Sequence, residues 1–154
     1  MIKALLFDLA RVILFPKDEL YKGELNKLHA ELSKGISYNF SDRFALDPEM
    51  ISYIQTLQTK LDVYMFTSGT IQNAPEIKPI LEKLFKKIYS ASDMGIPKDY
   101  PLAYKEILKD LGLAANEIVF IDDSIQNVEA AKEAGINAIQ FKGLYTLKKE
   151  LDQY

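Results

Sequence analysis

Short apolar runs alternate with amphipathic helical patterns along most of this chain. Four runs favour β-strands and a fifth does so more weakly: residues 3–7, 61–66, 117–121 and 136–141, then 87–90. The runs are apolar on both faces, which is typical of parallel strands covered by helices. Helices are predicted from Pro48 to about residue 58, after Pro75, from Pro101 to Leu111 and after Ser124. This alternation predicts an α/β fold with a doubly wound parallel sheet.

Residues 15–47 break the alternation between the first strand and the first core helix. Helical spacing of apolar side chains predicts an amphipathic helix in part of this segment, from Tyr21, Leu25, Leu28 and Leu32. The following stretch, SKGISYNFSDRFAL, is loop-like, no strand is predicted between residues 15 and 47, and His29 is expected to be solvated. We therefore predict one domain over residues 1–154, with a core of 1–14 and 48–154 and a small insertion at 15–47.

Composition and charge exclude several classes of function. The net charge of −3 over 154 residues argues against bulk attraction to nucleic acid or to an anionic membrane. The absence of cysteine excludes disulfides, thiolate metal sites and a cysteine nucleophile. Asp8 and Arg11 interrupt the first apolar stretch too early for a secretion signal, and no run is long enough to span a bilayer. We expect a cytoplasmic protein that binds neither nucleic acid nor membranes.

Polar residues follow the predicted strands at the point where each strand ends. Asp8 follows the first strand, Thr67 and Ser68 follow the second, and Asp122 and Asp123 follow the late strand at 117–121. A loop between the predicted strands at 61–66 and 117–121 carries Lys98 just before a helix. Because ligands of parallel α/β sheets collect at the carboxyl ends of the strands, these side chains are expected to converge. Carboxylates, a hydroxyl and an ammonium together suit a phosphate group and a hard cation.

The chemistry expected of this set is phosphoryl transfer. Asp8 could attack phosphorus in line and form an aspartyl phosphate, which water then cleaves. Converging carboxylates repel one another, so Mg²⁺ is expected between Asp8, Asp123 and the backbone carbonyl of Ala10, with Asp122 beside it. Thr67, Ser68 and nearby amides would hold phosphate oxygens. Lys98 would neutralise charge on the nucleophile and the phosphoryl group.

At this point the sequence resembles the haloacid dehalogenase superfamily, which is dominated by aspartate-dependent phosphatases. Four stretches are similar to the family's motifs in the expected order: LLFDLARV, VYMFTSG, GIPKDYPLAY and IVFIDDSIQNVEAAKEAGI. The resemblance implies that Asp8 is the nucleophile, that Thr67 and Lys98 assist it, and that Asp123 binds metal. It leaves Asn127 either facing the site or bonding to backbone. It also implies that residues 15–47 stand in for the family's helical cap, in reduced form.

One position departs from the family pattern. The first motif normally carries a second aspartate two residues after the nucleophile, but this chain has Ala10 there, and Arg11 where glycine is common. The missing carboxylate would protonate the leaving group and then activate water, and losing such a group costs roughly 10²–10⁴-fold in rate. The sequence therefore predicts a Mg²⁺-dependent phosphatase of impaired activity. Its substrate would be a small phosphate ester or, because the insertion is small, a macromolecular phosphate.

Three other functions share part of this residue pattern. A response-regulator receiver places its acid pair after the first strand, whereas the pair here follows a late strand, so we set it aside. A 2-haloacid dehalogenase also lacks the second acid, but it needs no metal and requires a substantial cap. A non-enzymatic relative that keeps the fold and binds a partner stays open, because Ala10 removes the acid/base.

Overall fold

A computed structural model describes residues 1–154. Its core is a parallel sheet of five strands: β1 (Ala4–Phe7), β4 (Asp62–Thr67), β5 (Ile88–Ser90), β6 (Ile118–Asp122) and β7 (Asn137–Gln140). The strands are ordered β5-β4-β1-β6-β7, and all of the pairings are parallel. The predicted strands and the α/β fold are confirmed, with shifts of a residue or two at the strand ends.

Helices cover both faces of this sheet, as the doubly wound prediction requires. The helices of the core are α3 (Pro48–Leu57), α4 (Lys78–Leu84), α5 (Ala91–Met94), α6 (Pro101–Leu111), α7 (Ile125–Glu133) and α8 (Leu144–Leu151). Short 3-10 helices lie at Ile71–Asn73 and Ala115–Glu117. Asp47 caps α3 by accepting a hydrogen bond from the Glu49 N–H, and Pro48 occupies its first turn. These local signals explain why the helix starts were readable from the sequence.

Alternate residues of the central strands enter two separate hydrophobic cores. In β1, Leu5 and Phe7 face one core, while Ala4 and Leu6 face the other, and all four are fully buried. The alternation follows from the two-residue repeat of a β-strand. Burial on both faces leaves the carboxyl ends of the strands as the place where polar side chains can gather.

The insertion contains more regular structure than the sequence suggested. β2 (Leu14–Pro16) pairs antiparallel with β3 (Phe44–Leu46), so the expectation of no strand between residues 15 and 47 is wrong. The stretch predicted as a loop also contains the single-turn helix α2 (Phe40–Arg43). Each of these strands has three residues, too few for an alternating pattern to be recognised.

The predicted amphipathic helix of the insertion is α1 (Leu25–Leu32), which begins four residues after Tyr21. His29 on this helix is half-buried rather than solvated, since its ring lies edge-on to Phe40 and Phe44. Its Nδ1 lies 2.9 Å from the hydroxyl of Tyr38. The expectation of a solvated histidine is wrong because residues distant in sequence fold back over the helix.

Candidate active site

The order of the strands brings three polar strand ends side by side. β1 lies between β4 and β6, so Asp8 is flanked by Thr67 at the end of β4 and Asp122 at the end of β6. The Asp8 N–H donates to the Ile121 carbonyl at 2.8 Å, which extends the β1–β6 pairing to the aspartate. Asp8, Thr67 and Asp122 are all buried. The convergence expected from the sequence is therefore present at this edge.

Lys98 links two of these carboxylates at the base of the site. Its Nζ donates to Asp8 Oδ1 at 2.7 Å and to the Phe66 carbonyl at 2.8 Å, and it lies 2.7 Å from Asp122 Oδ2. An ammonium has three N–H donors, and all three have acceptors here. Burial acts to lower the pKa of Lys98, but the charges of Asp8 and Asp122 outweigh it, and the pKa is raised. Lys98 is therefore a buried, fully paired cation.

Tyr104 fixes the backbone that carries this lysine. Its hydroxyl lies 2.7 Å from the Lys98 carbonyl oxygen and 3.1 Å from that of Asn127, and it donates its proton between them. Tyr104 is fully buried on α6, packed edge-on against Phe66 and Phe120. The loop lysine thus has the rigidity of the core, although it lies outside any helix or strand.

Asp122 acts as the organiser of the neighbouring groups. Its Oδ1 accepts from the Ser124 N–H at 2.8 Å, and its Oδ2 accepts from Asn127 Nδ2 at 3.0 Å as well as pairing with Lys98. The side chain of Asn127 therefore contacts a carboxylate of the site, which the sequence left undecided. With three donors already bound, Asp122 has less capacity for a cation than Asp8 or Asp123.

The three aspartates form a cluster with an excess of negative charge. Carboxylate oxygens of Asp8, Asp122 and Asp123 lie within 4.8 Å of one another. Three carboxylates against one ammonium leave a formal excess of two negative charges (3 − 1). Burial raises the pKa of Asp8 despite the opposing charge of Lys98, and burial together with Asp122 raises the pKa of Asp123. Hard oxygen donors with this charge suit a divalent ion such as Mg²⁺.

Hydrogen-bond donors without partners surround Asp8. Thr67 Oγ1 is buried and has no hydrogen-bond partner. The backbone N–H groups of Leu9, Ala10, Ser68 and Gly69 donate no hydrogen bond within the protein. Because a buried hydroxyl normally finds a partner, Thr67 Oγ1 is available to an oxygen of an anionic ligand, and the unbonded N–H groups add further donors. They lie on the two loops that follow β1 and β4.

The backbone carbonyl of Ala10 is available to a ligand, although the side chain of this residue is only a methyl group. The Ala10 carbonyl accepts no hydrogen bond, and the residue lines the same cleft as the three aspartates. Arg11 next to it has φ of +62°, the left-handed conformation that glycine adopts most readily. This backbone geometry gives a physical reason for the glycine that is common at the equivalent family position.

Two contacts that the sequence did not reveal hold the insertion against the site. Asn26 Oδ1 on α1 accepts from the Thr70 and Ile71 N–H groups, both at 3.0 Å. A Cβ at Gly69 would lie 2.5 Å from that oxygen, so only glycine permits this approach. On the other side, Arg11 Nη2 donates to the carbonyls of Tyr21 at 3.0 Å and Gly23 at 2.7 Å.

The resulting site cleft has a volume of about 290 Å³ and is mostly polar. Its walls comprise Asp8, Ala10, Arg11, Ser68, Asp122, Asp123 and Asn127 from the core, with Lys22, Gly23, Glu24, Leu25 and Asn26 from the insertion. A second cleft adjoins it beside Lys98, and Glu24, Ser68 and Asn127 line both. The insertion thus forms one wall of the site cleft.

Comparison with known proteins identifies the class of this fold and site. The sequence pattern of the haloacid dehalogenase-like hydrolases matches residues 24–135, and the chain belongs to this family of hydrolases. Enolase-phosphatase E1 of Pseudomonas aeruginosa is 31% identical over 90 residues, 51% of this chain and 36% of that protein. Drimenol cyclase of Aspergillus calidoustus is 24% identical over 144 residues, 88% of this chain but 27% of that protein.

Solved structures of the same family share the fold. A family enzyme from Bacteroides thetaiotaomicron, solved in complex with magnesium and inorganic phosphate, superposes with a TM-score of 0.65 at 20% identity, over 92% of this chain and 95% of that one. A 2-haloacid dehalogenase from Pseudomonas syringae has a TM-score of 0.67 at 17% identity, over 92% of this chain and 86% of that one. The chain spans less than half the length of the curated relatives named above, at 27% and 36%. None of its helices is long and apolar enough to cross a membrane.

Proposed function

We propose that this chain is a Mg²⁺-dependent phosphatase that acts on phosphate monoesters through an aspartyl phosphate on Asp8. The observation that carries the proposal is the buried cluster of three carboxylates with one lysine, whose excess of two negative charges lies beside unpaired hydrogen-bond donors. A cation and a phosphate group are the pair of ligands that satisfies both features at once.

The residues divide between holding the metal and holding the phosphate. Asp8, Asp123 and the Ala10 carbonyl would hold Mg²⁺, with Asp122 adjacent but already bonded to Lys98, Ser124 and Asn127. When bound, the ion supplies positive charge to the phosphate oxygens and removes the repulsion among the carboxylates. This division predicts that the metal interacts with the nucleophile itself.

The nucleophile is oriented by its neighbours. The hydrogen bond from Lys98 to Asp8 Oδ1 leaves Oδ2 to approach phosphorus, and the charge of Lys98 opposes, without cancelling, the rise in the Asp8 pKa that burial causes. The Thr67 hydroxyl and the N–H groups of Leu9, Ala10, Ser68 and Gly69 would bind the phosphate oxygens as charge develops on them. Phosphoryl transfer to Asp8 then breaks the bond to the leaving oxygen.

Ala10 affects the steps that move protons. An alkoxide leaving group would find no acid at position 10, and water attacking the aspartyl phosphate would find no base there. Transfer from esters with good leaving groups should survive, while hydrolysis of the intermediate should be slow. The activity of this chain is thus predicted to be weaker than that of an aspartate variant.

Two rival functions predict different properties of the same cleft. A 2-haloacid dehalogenase works without metal, so the charge excess among Asp8, Asp122 and Asp123 favours the phosphatase. A non-catalytic binding protein would keep the cluster and be indifferent to position 10. Substrates reach the site past the small insertion, so small phosphate esters and macromolecular phosphates both belong in a substrate panel.

The test compares turnover of 4-nitrophenyl phosphate by this chain, with Ala10, and by Ala10→Asp, with and without Mg²⁺. We expect Mg²⁺-dependent turnover that rises by ~10²-fold or more in Ala10→Asp. Ala10→Ser, which adds a polar side chain without a carboxylate, serves as the matched control and should not gain. If neither form turns over any ester, the phosphatase is rejected and the binding protein is favoured. Turnover without a gain in Ala10→Asp would mean that another group supplies the acid/base.

A further inference from the structure

We propose that Glu24 on the insertion is the catalytic base that activates water in this chain, in place of the carboxylate absent at position 10. The inference rests on the proposed phosphatase function and deepens it. Glu24 lines the site cleft together with Asp8 and Ala10, and it also lines the adjoining cleft together with Lys98. It therefore lies where the site cleft meets the adjoining cleft beside Lys98.

Elimination among the carboxylates of the site cleft leaves Glu24. Four carboxylates line that cleft, and three of them already have a role. Asp8 is the proposed nucleophile, Asp122 holds the neighbouring groups, and Asp123 would bind the metal. Asp99 is the other nearby acid, but it lines only the adjoining cleft and not the one that contains Asp8. Glu24 is thus the carboxylate of the site cleft that has no other role in the proposed chemistry.

The backbone of Glu24 is anchored on both sides of the residue. Arg11 Nη2 donates to the Gly23 carbonyl at 2.7 Å, and the Tyr21 hydroxyl donates to the Glu24 carbonyl at 3.2 Å. Asn26, two residues later, accepts from the Thr70 and Ile71 N–H groups of the loop that follows β4. The Cα of Glu24 is therefore fixed relative to the phosphate-binding loops.

The side chain, in contrast, is held only by one exposed ion pair. Glu24 precedes α1 but its carboxylate makes no capping hydrogen bond, and its ion pair is with Lys27 at 3.3 Å, with the two side chains 71% and 74% exposed. Exposed pairs of this kind contribute little and exchange readily with other partners. A carboxylate on a fixed backbone with a weakly held side chain suits a proton acceptor.

The proposed step balances as follows. Water attacks phosphorus of the aspartyl phosphate, the bond between phosphorus and the Asp8 carboxylate oxygen breaks, and the electron pair returns to Asp8. The proton lost by the water passes to the Glu24 carboxylate, and inorganic phosphate leaves. Because Glu24 is exposed, it returns this proton directly to solvent before the next turnover.

The experiment follows steady-state turnover of 4-nitrophenyl phosphate with Mg²⁺ and the mass of the chain after acid quench. This leaving group departs without an acid, so formation of the intermediate is spared and its hydrolysis is isolated. We expect Glu24→Gln to lower kcat by about tenfold, less than for a rigidly placed acid/base, and to accumulate phosphorylated Asp8. Glu31→Gln, on the exposed part of the same helix, is the matched control and should leave both readouts unchanged.

A second pair of variants separates catalysis from structure. In the Ala10→Asp background a carboxylate is restored at position 10, so Glu24→Gln should then leave kcat nearly unchanged. An equal loss in both backgrounds would assign Glu24 to folding or substrate binding and overturn the proposal. Loss in Asp99→Asn with Glu24→Gln unaffected would place the base on Asp99 instead.

The remaining outcomes distinguish this inference from the proposed function. If Ala10→Asp hydrolyses 4-nitrophenyl phosphate and the chain with Ala10 does not, Glu24 is not the base, while the phosphatase stands. The same conclusion holds if Glu24→Gln and the unsubstituted chain are both active with the same kcat. If no form turns over any phosphate ester, Ala10→Asp included, the proposed function fails and the assignment of Glu24 fails with it.

Discussion

The two walls of the site cleft are built in different ways. The core wall consists of strand ends, and its Asp8 is buried together with the lysine that pairs with it: the side chains of Lys98 and Asp8 are 3% and 7% exposed. The insertion wall, residues 21–26, is mostly exposed and is held by hydrogen bonds from Arg11 and to Asn26 rather than by a sheet. The buried wall can fix charges for chemistry, whereas the exposed wall can vary in sequence at little cost to the fold.

This difference has an energetic basis. Lys98 has no access to water, so each of its N–H groups must be satisfied by protein, and each acceptor is set by the fold. Glu24 and Lys27 are solvated whether or not they touch, so their pairing is weak. Substitutions in the two walls should therefore have effects of different size, and the following predictions are arranged from the largest to the smallest.

The largest effect is expected at the nucleophile. In the Ala10→Asp background, Asp8→Asn should lower turnover of 4-nitrophenyl phosphate by roughly 10⁴-fold or more, as when the nucleophile of a covalent mechanism is removed. An amide retains the shape of the carboxylate, so the fold should survive, which circular dichroism would check. Turnover retained within tenfold would show that Asp8 is not the nucleophile.

Lys98→Met tests the buried charges as part of the fold. Removing the cation leaves Asp8 and Asp122 buried without their partner, which should lower the free energy of unfolding by about 3–5 kcal/mol. Urea denaturation measures the loss, and Mg²⁺ should recover part of it. Lys87→Met is the matched control: it breaks a half-exposed pair with Asp110 and should cost less than about 1 kcal/mol. Equal losses in the two variants would remove the distinction between buried and exposed charge.

Mg²⁺ should stabilise the protein more at pH 7.5 than at pH 5. Burial raises the pKa of Asp8 and that of Asp123. At pH values between the ordinary and the raised pKa, the metal-free folded protein therefore binds more protons than the unfolded chain does. Stability from these groups is therefore present at low pH and is lost as pH rises through the raised pKa. Mg²⁺ binds the ionised carboxylates and reverses that loss.

Thermal unfolding with and without Mg²⁺ measures this effect. Saturation at a hundred times Kd would add about 2.7 kcal/mol. Asp123→Ala should abolish the stabilisation and the heat of Mg²⁺ binding in calorimetry. Asp62→Ala, at the opposite end of the sheet and paired with Lys86, should retain both. An equal rise in Tm at the two pH values, or binding retained in Asp123→Ala, would contradict the site.

The smallest change in stability is expected for Arg11→Gly, which removes the contacts of Arg11 with the insertion wall. Glycine relieves the cost of φ of +62° while the hydrogen bonds to the Tyr21 and Gly23 carbonyls are lost, so the net change should be within about 1 kcal/mol. Hydrogen exchange of residues 21–26 should nevertheless become faster. Arg11→Ala loses the same bonds without relieving the strain and should be less stable than Arg11→Gly. The reverse order would mean that φ of +62° at position 11 carries no strain.

The sequence by itself determined most of the core. Buried strands are apolar on both faces, and Pro48 and Pro101 mark helix starts through local backbone chemistry. The five strands of the sheet and the helices α3, α4, α6 and α7 could therefore be read without neighbours, whereas α5 and α8 were not predicted. The positions of Asp8, Thr67 and Asp122 at strand ends followed in the same way. These features depend on residues close together in the chain.

Only the tertiary structure decided which side chains of the site bond to one another. That Lys98 would bind both Asp8 and Asp122 depends on the strand order, and that Asn26 would meet Thr70 and Ile71 depends on where the insertion folds. No periodicity encodes such contacts, because they join residues between 24 and 90 positions apart. The short strands of the insertion and the burial of His29 were missed for the same reason: they are stabilised by partners distant in sequence.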